Sequence, residues 1–519
     1  DQLAAAWLPM YGHPLVQTPN LSELAAGATV FDSAYSAYPL CAPSRAAMLC
    51  GRYASAVEVW DNAAELRAGT PTAVHALRAA GYHTAVAGKM HFVGPDQLHG
   101  FEERLTTDIY PADVDWTPDW SRSLDDPLPW YHTMESVLRP GICAASMQTD
   151  YDQEVSFHAV RKLYDIARHR GDQPFLLFVS FTNPHDPWEI PARHWDRYRR
   201  EDIDDPAVPA IALAAADPHS RRLRAMCGVD QASLSREDIR RARHGYYAAV
   251  SYLDERVGEV LAALRGSGLA DRTTVLFTAD HGEMLGERGL WYKMSFLEHS
   301  ARVPLIVRRP GGSGLRGAAR PVSGPAAAAR RVSEPVSLVD LAPTLLSLAG
   351  VDAGGLQFDG VSLAGSLSEP GSDAPNGAGS AAPGHPVISE YHAEGVQAPA
   401  AMVRQGDHKL IASLEDPDLL YDLRFDPREL RDLSGARPDV VTSLHAALAS
   451  RLDLAEIDRR VRVSQRERRL VTRALRQGHY TSWDYQPQVD ATMQYVRSRE
   501  DLYELQRRAR LDAPATELD

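Results

Sequence analysis

The 519-residue chain has only four cysteines, Cys41, Cys50, Cys143 and Cys227, too few to staple a chain of this length and none at the spacing of zinc ligands. A disulfide framework is thereby excluded, and a reducing, cytoplasmic setting is expected. Basic charge is also short: 55 Lys and Arg against 69 Asp and Glu leave a formal charge of −14, with a pI near 5.8. Such a surface has no field to draw in phosphate backbones or anionic lipid, so neither nucleic acid nor membrane is an expected partner. Long apolar runs are missing as well. None approaches the roughly 20 residues needed to cross a bilayer, and the strongest are short segments such as Phe175 to Phe181. No internal repeat recurs at a fixed period. The first residue is Asp1, with no Met and no apolar segment ahead of it, so a leading strand and any signal peptide are expected to lie outside the sequence.

What is present reads as one large domain followed by a smaller one. Short β-rich apolar runs at Thr84 to Ala87, Phe175 to Phe181, Thr274 to Thr278 and Pro304 to Val307 alternate with amphipathic helical patterns at Ala73 to Ala80, Tyr151 to Arg168 and Arg240 to Leu264. That alternation predicts an α/β sheet with helices on both faces. Gly, Pro, Ser and Ala dominate Pro310 to Ser333 and Ala364 to Pro386; the first reads as a long loop and the second as a domain boundary. Beyond it, strands at His408 to Leu414 and Leu419 to Leu423 and a helix at Pro438 to Leu452 predict a small α+β domain. The resulting division is 1–363, 387–456 and a charged tail, 457–519. The run around Arg466, Arg468 and Arg469 reads as a solvated helix face, followed by the aromatics Tyr480, Trp483 and Tyr485.

In open α/β sheets, ligands bind beyond the carboxyl ends of the strands. Three predicted strands run directly into polar residues there: Thr274 to Thr278 into Asp280-His281-Gly282-Glu283, Phe175 to Phe181 into Asn183-Pro184-His185-Asp186, and Thr84 to Ala87 into Gly88-Lys89-Met90-His91. One Asp-His pair at a strand end is weak evidence for a cation site, since a helix cap or a satisfied histidine explains it equally. Recurrence at three strand ends is stronger.

The most specific element is Pro39-Leu40-Cys41-Ala42-Pro43-Ser44-Arg45. It resembles the signature of type I sulfatases, in which Cys-x-Pro-Ser-Arg directs oxidation of the cysteine to formylglycine. A second stretch, Gly81 to His91 (GYHTAVAGKMH), resembles another signature of that family. The resemblance runs from Asp1 to roughly Leu430. It implies an alkaline-phosphatase-like sandwich with a large mixed, mostly parallel sheet and a smaller C-terminal α+β domain. One departure is Cys50, where the family more often has Thr or Ala, which places a second thiol near the modified one.

By that resemblance, Asp1, Asp280 and His281 with the modified Cys41 hold one divalent metal, calcium foremost, with magnesium or manganese next. Arg45 and Lys89 hold the aldehyde hydrate and a sulfate oxygen. One hydroxyl of the hydrate attacks sulfur, and deprotonation of the other, with His91 as base, expels sulfate. His185 and Lys293 bind sulfate and protonate the leaving alkoxide. A formylglycine-generating or other sulfatase-maturing enzyme is then an obligatory partner. Many sulfatases follow the first Asp with a second, whereas Gln2 stands here, as in the choline sulfatase and phosphonate hydrolase branches.

Two further blocks resemble choline sulfatases in particular: Gly88 to Pro111 and the tail around Gly478 to Tyr485. A quaternary ammonium donates no hydrogen bond, so aromatic faces and carboxylates must recognise it. Trp116 and Trp483 are the candidate faces, with Tyr485 beside them, and Glu390 and Asp484 the candidate carboxylates, with Glu394 competing for the place of Glu390. The resemblance implies that the tail, and with it Asp484, acts in a neighbouring subunit of a dimer or tetramer. The expected reaction is hydrolysis of choline-O-sulfate to choline and sulfate. The rivals are a phosphonate monoester or phosphodiester hydrolase, another alkyl or aryl sulfatase, and a non-catalytic binder of choline sulfate in which Cys41 is never matured.

Overall fold

Strands of the catalytic region fall into two ladders whose facing edges end at the same place. A computed structural model describes residues 1–123, 126–310, 329–367, 384–477 and 500–510. The strands that matter here are β1 (Thr29–Tyr35), β2 (His83–Gly88), β3 (Glu103–Arg104), β4 (Phe175–Ser180), β5 (Val275–Thr278), β6 (Arg302–Arg308), β7 (Arg330–Val332) and β8 (Val336–Ser337). One ladder has the order β8-β1-β6-β5 with β7 also on β1, and the other the order β3-β2-β4. Pairing is parallel for β1 with β7 and β8 and for β2 with β3 and β4, and antiparallel for β6 with β1 and β5. The sheet is therefore mixed and mostly parallel, with helices packed on it. Between β4 and β5 lies an apolar cavity of about 300 Å³, lined by Leu176, Phe178, Leu276 and Phe277 among others.

The predicted strands and helices are present with small shifts at their ends. Missing from the sequence reading was β1, at the centre of its ladder. Its sequence TVFDSAY places Asp32 and Ser33 mid-strand, where the register with β6 shifts between Phe31 and Ala34. A bulge of this kind breaks the period-2 pattern that marks a strand. The segment read as one loop, Pro310 to Ser333, ends instead in edge strand β7.

Three helices position the site. Helix α1 (Cys41–Cys50) begins at the cysteine, α2 (Met147–His169) lies beside β4, and α3 (Arg236–Gly266) carries the buried Tyr246, Tyr247 and Tyr252. Beyond residue 384 a four-stranded antiparallel sheet, Val387–Tyr391, Ala400–Gln405, His408–Ser413 and Leu419–Asp422, carries helix α4 (Pro438–Ala449). Its first strand is joined to the catalytic region where Glu390 N donates to Ala37 O at 2.9 Å.

Helix α5 (Leu454–Leu475) follows; Arg466 is exposed and Arg469 38% exposed, as a solvated face requires, but Arg468 corrects that reading. Arg468 is only 12% exposed and makes a bidentate pair with the fully buried Asp61. Helix α6 (Leu502–Ala509) lies against α2. Among the described residues no helix is long and apolar enough to cross a membrane.

Candidate active site

Cys41 is the first residue of α1, with Leu40 as an extended N-cap. That placement explains the motif residue by residue. Pro43 falls in the first turn, where a missing N–H breaks no intrahelical bond. Ser44 donates its hydroxyl to Asp280 O at 2.7 Å, fixing the helix to the end of β5. Arg45 stands one turn after Cys41 and shares its face. Its guanidinium bonds Asp280 Oδ2 at 2.9 Å, Asp1 Oδ2 at 2.8 Å, Lys89 O at 2.6 Å and Ser180 Oγ at 2.8 Å. Cys50 closes the same helix about 14 Å away along its axis at 1.5 Å per residue. Burial pushes its thiol up to about 12, so it is inert and not a neighbour of Cys41, contrary to expectation.

Around the Cys41 sulfur stand Lys89 Nζ at 3.4 Å, His281 Nε2 at 3.2 Å and Asp1 Oδ1 at 3.8 Å. Burial opposes ionisation of this thiol, but Lys89, His281 and Lys293 outweigh it and hold its pKa well below the usual range. Asp280 behaves alike: burial raises its pKa, while Arg45 and His281 hold it well below the ordinary carboxylate value. Asp1 is fully buried at its carboxylate, paired to Lys89 at 2.7 Å, and its backbone nitrogen reaches Phe181 O at 3.1 Å.

One ligating atom from each of Asp1, Cys41, Asp280 and His281 lies within 4.8 Å of the others. The donor set fits a hard or borderline cation. His281 supplies the clearest observation, because its Nδ1 is taken by Gly282 O at 3.1 Å, leaving Nε2 directed at Cys41 and Asp1. Gly282 is required there, since a Cβ would stand 2.1 Å from His299 O. Gly88, ahead of Lys89, is required for the same reason: at φ +106° its Cβ would meet Ser180 O at 1.9 Å.

On the opposite side of the thiol, Lys293 Nζ donates to His185 Nε2 at 2.9 Å and to Gln2 Oε1 at 2.6 Å. His185 Nδ1 faces Asp186 O at 2.7 Å. Burial and then Lys293 push the His185 imidazole down to about 4. Gln2 Nε2 donates to Glu283 at 2.7 Å and Asp186 at 3.2 Å. A second aspartate at position 2 would face both carboxylates, so a neutral amide is what this site accepts. His91 lies in a loop held by Asp108, which accepts from the N–H groups of Met90 and His91 at 2.8 Å each. Among the described residues its buried ring nitrogens make no well-formed hydrogen bond, although Cys41 acts on the ring and partly offsets the downward push of burial, and its ring stacks on Tyr110 at 5.2 Å.

Trp116 belongs to an aromatic wall, with ring centroids 5.8 Å from His91, 5.7 Å from Tyr110 and 6.2 Å from Trp130. The two competing glutamates have different surroundings. Glu390 is turned to Ser55 N at 3.1 Å and toward His392 at 3.4 Å, while Glu394 is pushed up to about 7 by burial and then by Asp61, with Lys293 and Cys41 also acting on it. Sequence reading missed His132, which no motif marks. Its ring stands 6.5 Å from His185 and 4.7 Å from Tyr292, and among the described residues its buried Nε2 has no hydrogen-bond partner. His132, His185 and Asp186 also group their ligating atoms, but the Lys293 ammonium on His185 opposes a second cation there. Trp483 and Asp484 lie outside the described residues.

The chain as a whole matches a known protein class. A family model described as Sulfatase matches residues 1–351, and the chain belongs to the sulfatase family. A second model, described as Choline sulfatase enzyme C terminal, matches residues 459–511. Among curated proteins the chain is 42% identical to a choline-sulfatase of Rhizobium meliloti, over 97% of this chain and 95% of that protein. It is 31% identical to arylsulfatase K of Danio rerio, over 87% and 82%. A phosphonate monoester hydrolase of Agrobacterium radiobacter has the same fold, with a TM-score of 0.64 at 24% identity, covering 87% of this chain and 95% of that one. Family membership implies a formylglycine at the signature cysteine and a divalent metal.

Proposed function

We propose that the protein hydrolyses choline-O-sulfate to choline and inorganic sulfate. The observation that carries this reading is the 42% identity to a choline-sulfatase over nearly the whole chain, which takes in the tail as well as the sulfate-facing cluster. The fold likeness to a phosphonate hydrolase at 24% identity bears on architecture alone.

Asp1, Asp280, His281 and the oxidised Cys41 would hold the metal, for which the oxygen-rich set favours calcium. The cation supplies charge neutralisation at sulfate oxygens, and the oxidised Cys41 supplies one hydroxyl as nucleophile and a second whose deprotonation releases sulfate. Arg45 and Lys89 keep Asp280 ionised, pair with Asp1 and add positive charge where sulfate sits. His91, neutral and with ring nitrogens that make no well-formed hydrogen bond among the described residues, takes the proton of the second hydroxyl. Choline's alkoxide is a poor leaving group, so the Lys293–His185 hydrogen bond is where a proton is held for it. The trimethylammonium end lies against Trp116, with Glu394 supplying the opposing charge in place of Glu390. Trp483 and Asp484 complete that subsite from a neighbouring subunit of a homo-oligomer.

We divide the chain into a catalytic domain at 1–363, a smaller domain at 387–456 and an oligomerising tail at 457–519. Four buried, unpaired cysteines favour a cytoplasmic setting, where a formylglycine-generating enzyme would act on Cys41. The deciding experiment measures choline-O-sulfate hydrolysis beside a Cys41→Ala variant while the Cys41 peptide is weighed by mass spectrometry. Turnover abolished in the variant, with a wild-type peptide lighter than cysteine requires, is the expected result. Formylglycine without turnover of the choline ester would remove the substrate, and full activity in the variant would remove the mechanism.

A further inference from the structure

Helix α5 buries only Ile457, Val461 and Gln465, little apolar area for 22 residues, so polar contacts must seat it. Most of them lie at the rim. Arg468 differs, because it reaches a carboxylate with no exposure at all. Its Nη1 and Nη2 meet Asp61 Oδ1 and Oδ2 at 2.6 and 2.7 Å, and Nη1 also donates to Thr117 Oγ1 at 3.1 Å. The planar fork thus spans two loops that are distant in sequence.

Each loop leads into the site. Asn62, next to Asp61, accepts at Oδ1 from Ala42 N at 2.9 Å, and Ala42 follows the nucleophile Cys41. Thr117 follows Trp116, whose ring is part of the aromatic wall. One guanidinium therefore sets the separation between the reacting residue and the wall, and no hydrogen bond or ion pair joins it to Cys41, Lys89, His185 or Lys293 in the described contacts.

We propose that Arg468 is a positioning residue for substrate selection: by clamping Asp61 to Thr117 it holds the Trp116 wall at the distance at which a cationic leaving group fits. This rests on the reading that Trp116 meets the ammonium of the substrate. It makes the C-terminal helix a part of the specificity apparatus in its own subunit, separate from any residue that the tail lends to a neighbour. A lysine at this position keeps the charge on Asp61 and loses the second hydrogen bond, so it retains the fold with a looser wall.

The test compares full-length wild type with Arg468→Lys and Arg468→Gln on choline-O-sulfate and on 4-nitrophenyl sulfate, an ester with the same sulfate and no cation. KM for the choline ester is expected to rise about tenfold in Arg468→Gln and by less in Arg468→Lys, with kcat/KM for the aryl ester changed by no more than about twofold. Equal losses on both esters, or no change on either, would overturn the proposal. Should Arg468→Gln fail to fold with Asp61 left uncompensated, the neutral pair Asp61→Asn/Arg468→Gln is read in its place; an unchanged KM for the choline ester there also overturns it. A wild type that shows no preference for the ammonium ester would overturn the substrate reading itself, and the positioning role with it.

Discussion

Two groups of residues near the Cys41 thiol are built on opposite principles. On the sulfate side, Asp1, Arg45, Lys89, Asp280 and His281 form a dense, fully buried lattice of charges, each with two or more partners. In the proposed leaving-group region the contacts are mostly aromatic edges and faces, around Trp116, Tyr110 and Trp130, and the carboxylate we assign to it, Glu394, is pushed up to about 7. The difference follows from the ligands. A sulfate ester must be neutralised and held in line at fixed atoms, whereas a trimethylammonium offers only size and diffuse charge. Substitutions on the first side should therefore damage every sulfate ester equally, and those on the second should separate esters by their leaving group.

The largest effect tests the first half. Asp280→Asn removes a charge that Arg45 and His281 stabilise and should lower bound metal, read by elemental analysis, together with turnover of both the choline and the aryl ester by about 10²–10³-fold. Retention of metal with loss on one ester alone would break the comparison.

A smaller effect tests the second half. Glu394→Gln should raise KM for choline-O-sulfate by about tenfold and leave the aryl ester nearly untouched, while Glu390→Gln, at a carboxylate turned to Ser55 and His392, should leave both KM values alone. The pH dependence has a definite sign. With Glu394 pushed up to about 7, it is neutral below that value and anionic above it, and only the anion attracts an ammonium. The ratio of kcat/KM for choline ester to aryl ester should climb as pH rises through about 7, and Glu394→Gln should flatten the climb. A ratio that is flat in wild type would remove Glu394 from the subsite.

This contrast also explains what the sequence disclosed. The sulfate side was legible because its residues sit at fixed short offsets: Cys41 and Arg45 one helical turn apart, Asp280 and His281 adjacent at a strand end, Lys89 just past β2. Gln2 was legible as a departure, but its bridge from Lys293 to Glu283 and Asp186 required the fold. The proposed leaving-group side is assembled from loops far apart in the chain, and the different surroundings of Glu394 and Glu390, four residues apart, could be read only once the strand pairing placed Glu390 beside Ser55. His132 stands in no motif. Strand β1 escaped because a bulge at Asp32 and Ser33 hides its alternation, and α5 was misread because a run of arginines looks solvated until the buried Asp61 is seen beneath one of them.

The smallest effect isolates that last point. Arg469 is the immediate neighbour of Arg468 and makes its own ion pair, to Asp119 at 2.5 Å, but its side chain is 38% exposed where that of Arg468 is 12%. Asp119 is itself only 5% exposed, but it keeps hydrogen bonds from Ser121 N at 3.0 Å and Ser121 Oγ at 2.5 Å, so Arg469→Ala should cost about 1–2 kcal/mol in thermal or denaturant unfolding and leave both KM values at wild type. Asp61 has no exposure through which water could solvate its charge, so the same truncation one residue earlier leaves a buried carboxylate with the Ala63 N–H at 2.9 Å and no opposing charge, at a cost of about 3–5 kcal/mol. If Arg469→Ala proved as damaging as Arg468→Ala, helix α5 would be seated by its summed charge, and the division of labour between its rim and its one buried arginine would be lost.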